Sequence, residues 1–246
     1  MTFLQKSPKP VALVTGGASF LGRAISLKFV REGFNLVLHY QNSASQTRQL
    51  AMEIGRRGGK AYPVKADLRN PRKAPVLVKQ AVDKLGRLDV LINNASVFKP
   101  TPLKTAGLEL WEETFRVNVY SPFFLCSAAA PWLKKKHGCV VNLADIYGEH
   151  PILKGYPAYC ASKAALIAAT RHLALEWGPQ IRVNAVSPGA IRIPPDYDLR
   201  RRNALIQRSV LKRQGQPGDI AEAVFFLATQ SFITGQVLSV DGGRFL

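Results

Sequence analysis

Apolar residues along the chain gather into seven short runs, separated by stretches with helical spacing. Val11–Val14 is a β-rich run closed by Thr15-Gly16-Gly17, and a helical pattern follows from Leu21 to Arg31. Asn35–Tyr40 reads as a strand, Ser43–Arg57 as a helix and Ala61–Val64 as a strand. Leu88–Asn93 and Cys139–Asn142 are further short strands, flanking a long helical region over Glu109–Lys135. Helix Pro157–Trp177 leads to strand Ile181–Val186, and helix Ile220–Thr229 precedes a last strand at Gln236–Val240. Such alternation predicts an α/β protein with a doubly wound, mainly parallel seven-stranded sheet and helices on both faces. A ligand is then expected across the carboxyl ends of the strands. No low-complexity linker interrupts the pattern, so residues 1–246 read as one domain.

The rhythm breaks once, between Pro188 and Gln216. This stretch is rich in proline and charge, carries no clear strand, and holds at most a short helix near Ala204–Leu211. Joints between strands and helices ordinarily need only a few residues. A segment over about 190–216 therefore reads as a cover for a substrate, with a decorated surface loop as the plainer alternative.

Composition narrows the setting. No apolar stretch approaches the roughly 18 residues of a membrane span, and MTFLQKSPKP lacks the apolar part of a secretory signal. Cys126, Cys139 and Cys160 are odd in number and show no metal-ligand spacing, so they read as ordinary buried thiols with no metal expected. A cytoplasmic protein without membrane attachment is the expectation. The net charge of +18 would draw anions at long range, but the basic residues are dispersed, with short runs only at 134–136 and 200–202. No nucleic-acid motif accompanies them, so a solvated basic surface that collects an anionic ligand is the reading, and specific nucleic-acid binding is not expected.

Gly16 and Gly22, around Ser19, Phe20 and Leu21, put small residues where a strand turns into a helix. There a diphosphate can approach the free N–H groups and positive dipole end of the helix. The second strand ends in LHYQNS with no carboxylate at its tip. That absence favours a ribose phosphate, hence NADP over NAD, with donors from His39, Tyr40, Gln41, Asn42, Ser43 and nearby Arg23. Ser43 has a helix N-cap as its rival reading. Asp67, beside Leu68 at the end of the third strand, could accept the adenine amino group, and Asn94 with Ala95 lets the chain pass close to a cofactor. Both could also be turn chemistry.

Tyr159 and Lys163 are four residues apart and share a helical face. An ammonium beside a phenol would stabilise the phenolate and lower the tyrosine pKa, helping proton donation as hydride reaches a substrate. Together TGGASFLG, Asp67, NNAS, Asn118 in RVNVYSPF, Tyr159-x-x-x-Lys163, VNAVSPG and TGQVLSVDGG resemble the short-chain dehydrogenase/reductase family over nearly the whole chain. The resemblance implies a Rossmann domain and an NADPH-dependent oxidoreductase. It further implies Tyr159 as proton donor, Lys163 as its partner and ribose ligand, and Asn118 organising the lysine through water. Pro188, Gly189 and Ile191 would contact the cofactor, and a homotetramer is implied, with a dimer as the alternative.

Asp145 stands where most of the family has serine, and Phe20 where most has glycine. A serine there hydrogen-bonds a carbonyl substrate. An aspartate suits a substrate with ring nitrogens, accepting its N–H groups or relaying a proton through Tyr159, although it could also simply hold backbone N–H groups. This departure, with LHYQNS, NNASVFKPTPL and NLADIYGEHPILKGYPAYCASK, resembles the pteridine reductase branch. The branch implies a pterin or folate-like substrate stacked by Phe98, Ser96 near the pterin or the cofactor phosphates, and Tyr156 lining the pocket with Asp145 and Tyr159. It also commonly has arginines at the positions of Phe20 and Asn42, both uncharged here. A carbonyl or 3-oxoacyl reductase is the alternative activity, and a nucleotide-binding scaffold without chemistry is the reading from another class.

Overall fold

A computed structural model describes residues 9–193 and 198–246. The expectation for the N-terminal segment rests mostly on residues 1–8, and part of the 190–216 segment on residues 194–197; both lie outside the described residues, as does the side chain of Arg201 in the 200–202 run.

The strands are β1 (Val11–Val14), β2 (Asn35–Tyr40), β3 (Ala61–Lys65), β4 (Val90–Asn93), β5 (Cys139–Leu143), β6 (Arg182–Pro188) and β7 (Val237–Val240). They form one seven-stranded sheet in the order β3-β2-β1-β4-β5-β6-β7. Every pairing between neighbours is parallel. The helices are α1 (Phe20–Arg31), α2 (Ala44–Arg56), α3 (Ala74–Leu85), α4 (Leu108–Phe115), α5 (Ser121–Lys134), α6 (Ile146–Glu149), α7 (Pro157–Trp177), α8 (Leu199–Gln207) and α9 (Pro217–Thr229). A single Rossmann-type α/β domain results. The strand order reverses between β1 and β4, which is where such sheets open a ligand crevice.

The sheet is buried on both faces, which is why its central strands read as unbroken apolar runs. Along β1 the side chains alternate between two cores. Val11 and Leu13 join Leu77, Ala81, Leu125 and Leu133 from α3 and α5. Ala12 and Val14 join Ile25, Phe29, Val224 and Leu227 from α1 and α9. Phe29 is fully buried and meets Phe34 and Phe225 edge-on at 5.0 and 5.3 Å between ring centroids.

Several predicted bounds move by a residue or two, and three differences are larger. Helix α3 has no counterpart among the predicted elements. The predicted helix Glu109–Lys135 is divided by a π-helical turn at Arg116–Tyr120, which carries Asn118. The short helix expected near Ala204–Leu211 lies earlier, as α8, because the basic run 200–202 that reads as loop is itself helical. All three cysteines are buried and unpaired, and burial pushes the thiols of Cys126 and Cys139 up to about 12 and 11. No helix among the described residues is long and apolar enough to cross a membrane.

Candidate active site

The glycine turn after β1 is braced from three directions. Gly16 adopts a left-handed φ of +60° that a side chain would strain. Asn94, at the end of β4, donates from Nδ2 to the carbonyls of Thr15 (2.8 Å) and Gly16 (3.1 Å) and to Ser19 Oγ (3.2 Å). Ser19 Oγ in turn accepts the N–H of Gly22 at 3.3 Å, capping α1. At Gly22 a Cβ would fall 2.0 Å from the Gly16 carbonyl oxygen, so helix and turn can approach only because that position is bare. Gly22→Ala should cost about 1–3 kcal/mol of folding stability, read from the urea midpoint, since backbone rather than a flexible side chain must give way.

His39 departs from its expected role. Its ring is buried, Nδ1 accepts the N–H of Gly16 at 3.2 Å, and Nε2 lies 3.1 Å from the carbonyl of Ala66. Burial brings its pKa down to about 4. The neutral ring is thus a strut between β1, β2 and β3, with both nitrogens engaged and none offered to a ribose phosphate. Arg23 is likewise committed, 2.6 Å from Glu53. Ser43 holds the N-cap position of α2 but makes no side-chain capping bond.

Beyond the tip of β2 lies a cavity of about 640 Å³ lined by Gln41, Asn42, Lys65, Ala66, Asp67, Arg69 and Lys73 among others. Asp67 is clamped by Arg69, at 2.8 Å from Nη2 to Oδ2, and accepts Gln41 Nε2 at 2.9 Å. That guanidinium holds the Asp67 carboxyl below its ordinary value. Lys65, Arg69 and Lys73 were not among the residues expected here; with Arg69 paired to Asp67, Lys65 and Lys73 bring positive charge to the cavity that Asn42 lines. Tyr40 ends β2 half-buried, with its carbonyl accepting the N–H of Ala66. Leu68 is buried and its carbonyl accepts Ser121 Oγ at 2.6 Å.

At the ends of β5 and α7 the reaction centre assembles. Asp145 N-caps α6, accepting the N–H of Tyr147 at Oδ1 (2.9 Å), while Tyr159 OH donates to Oδ2 at 2.7 Å. The carboxylate thus holds a backbone N–H with one oxygen and faces the phenol with the other. Burial raises the pKa of Asp145. Burial, then the charge and hydrogen bond of Asp145, raise Tyr159 well above the ordinary tyrosine value. This overturns the expected lowering by Lys163: the ammonium sits 5.6 Å from the Tyr159 ring centroid and donates to the Leu143 carbonyl at 2.7 Å, while the carboxylate is in direct contact with the phenol. Lys163 is itself brought down to about 8 by burial.

Asn118 is buried in the π-helical turn. Its Oδ1 accepts Val97 N–H (2.8 Å) and Ser96 Oγ (3.2 Å), and its Nδ2 donates to Val97 O and Ser162 Oγ, each at 3.0 Å. The side chain thus ties the loop after β4 to α7 one residue before Lys163. Phe98, half exposed, stacks on Tyr156 with centroids 4.5 Å apart and planes 13° apart, and meets the Tyr159 ring edge-on at 4.7 Å. Phe98, Tyr156, Tyr159 and Asp145 therefore share one pocket wall. Opposite, Gly189 follows Pro188 against Asp241, where a Cβ would fall 2.5 Å from Asp241 Cα, and Ile191 is buried. No group of three His, Cys, Asp or Glu among the described residues could hold a metal ion.

Geometry of this kind can bind a dinucleotide along the glycine turn and give a proton from Tyr159 to an atom receiving hydride. Comparison with known proteins agrees in kind. A family model described as Enoyl-(Acyl carrier protein) reductase matches residues 16–244. The chain is 35% identical over 242 residues to a 3-oxoacyl-[acyl-carrier-protein] reductase of Synechocystis sp., covering 95% of this chain and 96% of that protein. It is 36% identical over 244 residues to a cyclopentanol dehydrogenase of Comamonas sp., covering 95% and 96%. A solved blue fluorescent protein from a metagenomic library, in complex with NADPH, superposes with a TM-score of 0.91 at 33% identity, covering 96% of this chain and 98% of that one. The chain belongs to the short-chain dehydrogenase/reductase family of oxidoreductases.

Proposed function

We propose that the protein is an NADPH-dependent reductase whose substrate is a dihydropterin or related reduced folate, reduced at a C=N bond. The observation that carries the substrate class is the 2.7 Å hydrogen bond between Tyr159 OH and Asp145 Oδ2, in a position where the family usually has serine. A carboxylate that already accepts a phenolic proton can also accept N–H donors of a pterin ring, which a ketone lacks. Phe98 adds an aromatic face in contact with Tyr159. In the present arrangement Tyr156 covers one face of Phe98, so a pterin would stack on the other face or displace the Tyr156 ring.

The residues fit NADPH. The left-handed turn at Gly16 leads straight into the N-terminus of α1, whose first turn carries no acidic side chain to repel a diphosphate, and Lys65, Arg69 and Lys73 line the cavity that a ribose phosphate would enter beside Asn42. NADPH, when bound, supplies the hydride. Tyr159 gives the proton to the substrate nitrogen, Asp145 holds the ring and keeps the phenol protonated, and Lys163 holds ribose hydroxyls. The segment over about 190–216 closes the pocket, and a homotetramer is the proposed assembly.

A second reading has its own support. The named relatives act on 3-oxoacyl thioesters and a cyclic alcohol, which favours a carbonyl or 3-oxoacyl substrate more directly than they favour a pterin. Turnover of NADPH with dihydrobiopterin, dihydromonapterin and dihydrofolate, set beside 3-oxoacyl thioesters and cyclic ketones, separates the two. Preference for the pterins by at least about a hundred-fold in kcat/KM is expected, since a hydrogen bond to a charged group contributes about 1.5–3 kcal/mol. Robust turnover of ketones alone would sink the pterin assignment.

A further inference from the structure

One arginine at the mouth of the nucleotide cleft has no role in the site so far described. The segment leaving β6 runs Ile191-Arg192-Ile193, buried, exposed, buried, so the two isoleucines fix the backbone and turn Arg192 outward. Its root is stapled from the far end of the same segment, by Gln214 Nε2 donating to the Ile191 carbonyl at 2.7 Å and Gly215 N–H to Ala190 at 3.2 Å. A Cβ at Gly215 would fall 2.4 Å from Ile191 Cδ1, which keeps the two strands of the root in contact.

Held this way, the Arg192 guanidinium lies over the ring of Phe20, 5.4 Å from its centroid. Phe20 is the first residue of α1, whose first turn carries no acidic side chain. A guanidinium beside the positive end of a helix is electrostatically unfavourable on its own. Among the described residues no carboxylate pairs with Arg192. Stacking on an exposed ring is a weak hold. Two positive elements facing each other across a cleft, neither neutralised, are satisfied by an anion between them.

We propose that Arg192 binds the diphosphate of the dinucleotide from the wall opposite α1, with Phe20 as the shelf that aligns its guanidinium. This rests on the nucleotide-binding part of the proposed function. The charge absent at position 20 is thus supplied by Arg192, just past β6.

Equilibrium titrations of purified wild type, Arg192→Gln, Arg192→Lys, Phe20→Leu and the Phe20→Leu/Arg192→Gln double variant test this, each checked for an unchanged melting temperature. The probes are NADPH and adenosine 2′,5′-bisphosphate, which lacks the diphosphate bridge. Arg192→Gln should weaken NADPH by about ten-fold or more, the size of one charge-assisted hydrogen-bonded contact, and the bisphosphate by less than about two-fold. Arg192→Lys should fall between, and the double variant should bind no worse than Arg192→Gln, since the shelf acts only through the guanidinium. Binding of NADPH by folded Arg192→Gln within about two-fold of wild type would overturn the inference, as would equal losses for both probes. A wild type that binds the bisphosphate but shows no gain from NADPH overturns it too, and one that binds neither overturns the nucleotide reading itself.

Discussion

Tyr159→Phe should lower kcat by about a thousand-fold while leaving the affinity for NADPH within about two-fold, because general-acid donation contributes on the order of 10²–10⁴ and the ring is retained. The phenylalanine keeps the edge-on contact with Phe98 and the packing of a buried side chain; only the hydroxyl that bonds Asp145 is lost. Single-turnover kinetics with the preferred substrate read the loss directly. The pH profile should carry a second signature. Tyr159, raised by burial and by the neighbouring carboxylate, stays protonated through neutral pH and is competent as an acid. Lys163, brought down to about 8, loses its charge as pH rises through that value, so kcat/KM should decline above about pH 8. Activity that persists in Tyr159→Phe would remove the phenol from the proton path.

Asp145→Ser should lower kcat/KM for a dihydropterin by about a hundred-fold or more, since a site that hydrogen-bonds substrate N–H groups discriminates by the loss of a buried acceptor. The serine can still cap α6 by accepting the Tyr147 N–H, so the local fold survives and the change isolates the chemistry. Melting temperature and NADPH affinity should remain close to wild type. Ketone turnover is the other arm. If the site is in essence a ketoreductase with an unhelpful carboxylate, the serine variant gains on cyclic ketones and 3-oxoacyl thioesters. Gain on ketones with no loss on pterins would refute the role given to Asp145.

Much of the architecture was legible because its signals are local. The strands of the central sheet, buried on both faces, appear as short apolar runs such as Val11–Val14, and Tyr159 with Lys163 on α7 follows from helical spacing alone. The π-helical turn at Arg116–Tyr120 has no such periodicity, which hides the division between α4 and α5. His39 illustrates a second limit. A polar residue near the tip of a strand can face the cleft or lie buried beneath it, and only the positions of Gly16 and Ala66 decide for burial. Charge compensation across space is harder still. Lys65 and Lys73 around Asn42, and Arg192 over Phe20, come from elements remote in sequence, so inspecting positions 20 and 42 alone reports a deficit that the fold fills.

The proton-sharing pair also has a consequence for substrate binding. Asp145 bonds Tyr147 N–H through Oδ1 and Tyr159 OH through Oδ2, which leaves lone pairs on both oxygens for an incoming donor. A planar ring that offers two adjacent N–H groups can use them without breaking either existing bond. A ketone oxygen, an acceptor only, would instead face a carboxylate and depend on Tyr159 for its one favourable contact.

The most direct measurement is a crystal structure of the protein with NADP and a dihydropterin. The pterin ring should stack on Phe98, with ring N–H groups within about 3 Å of Asp145 and Tyr159 OH in hydrogen-bond reach of the nitrogen to be protonated. A pterin bound away from Asp145, or a pocket that admits a ketone analogue and excludes the pterin, would contradict the pterin assignment.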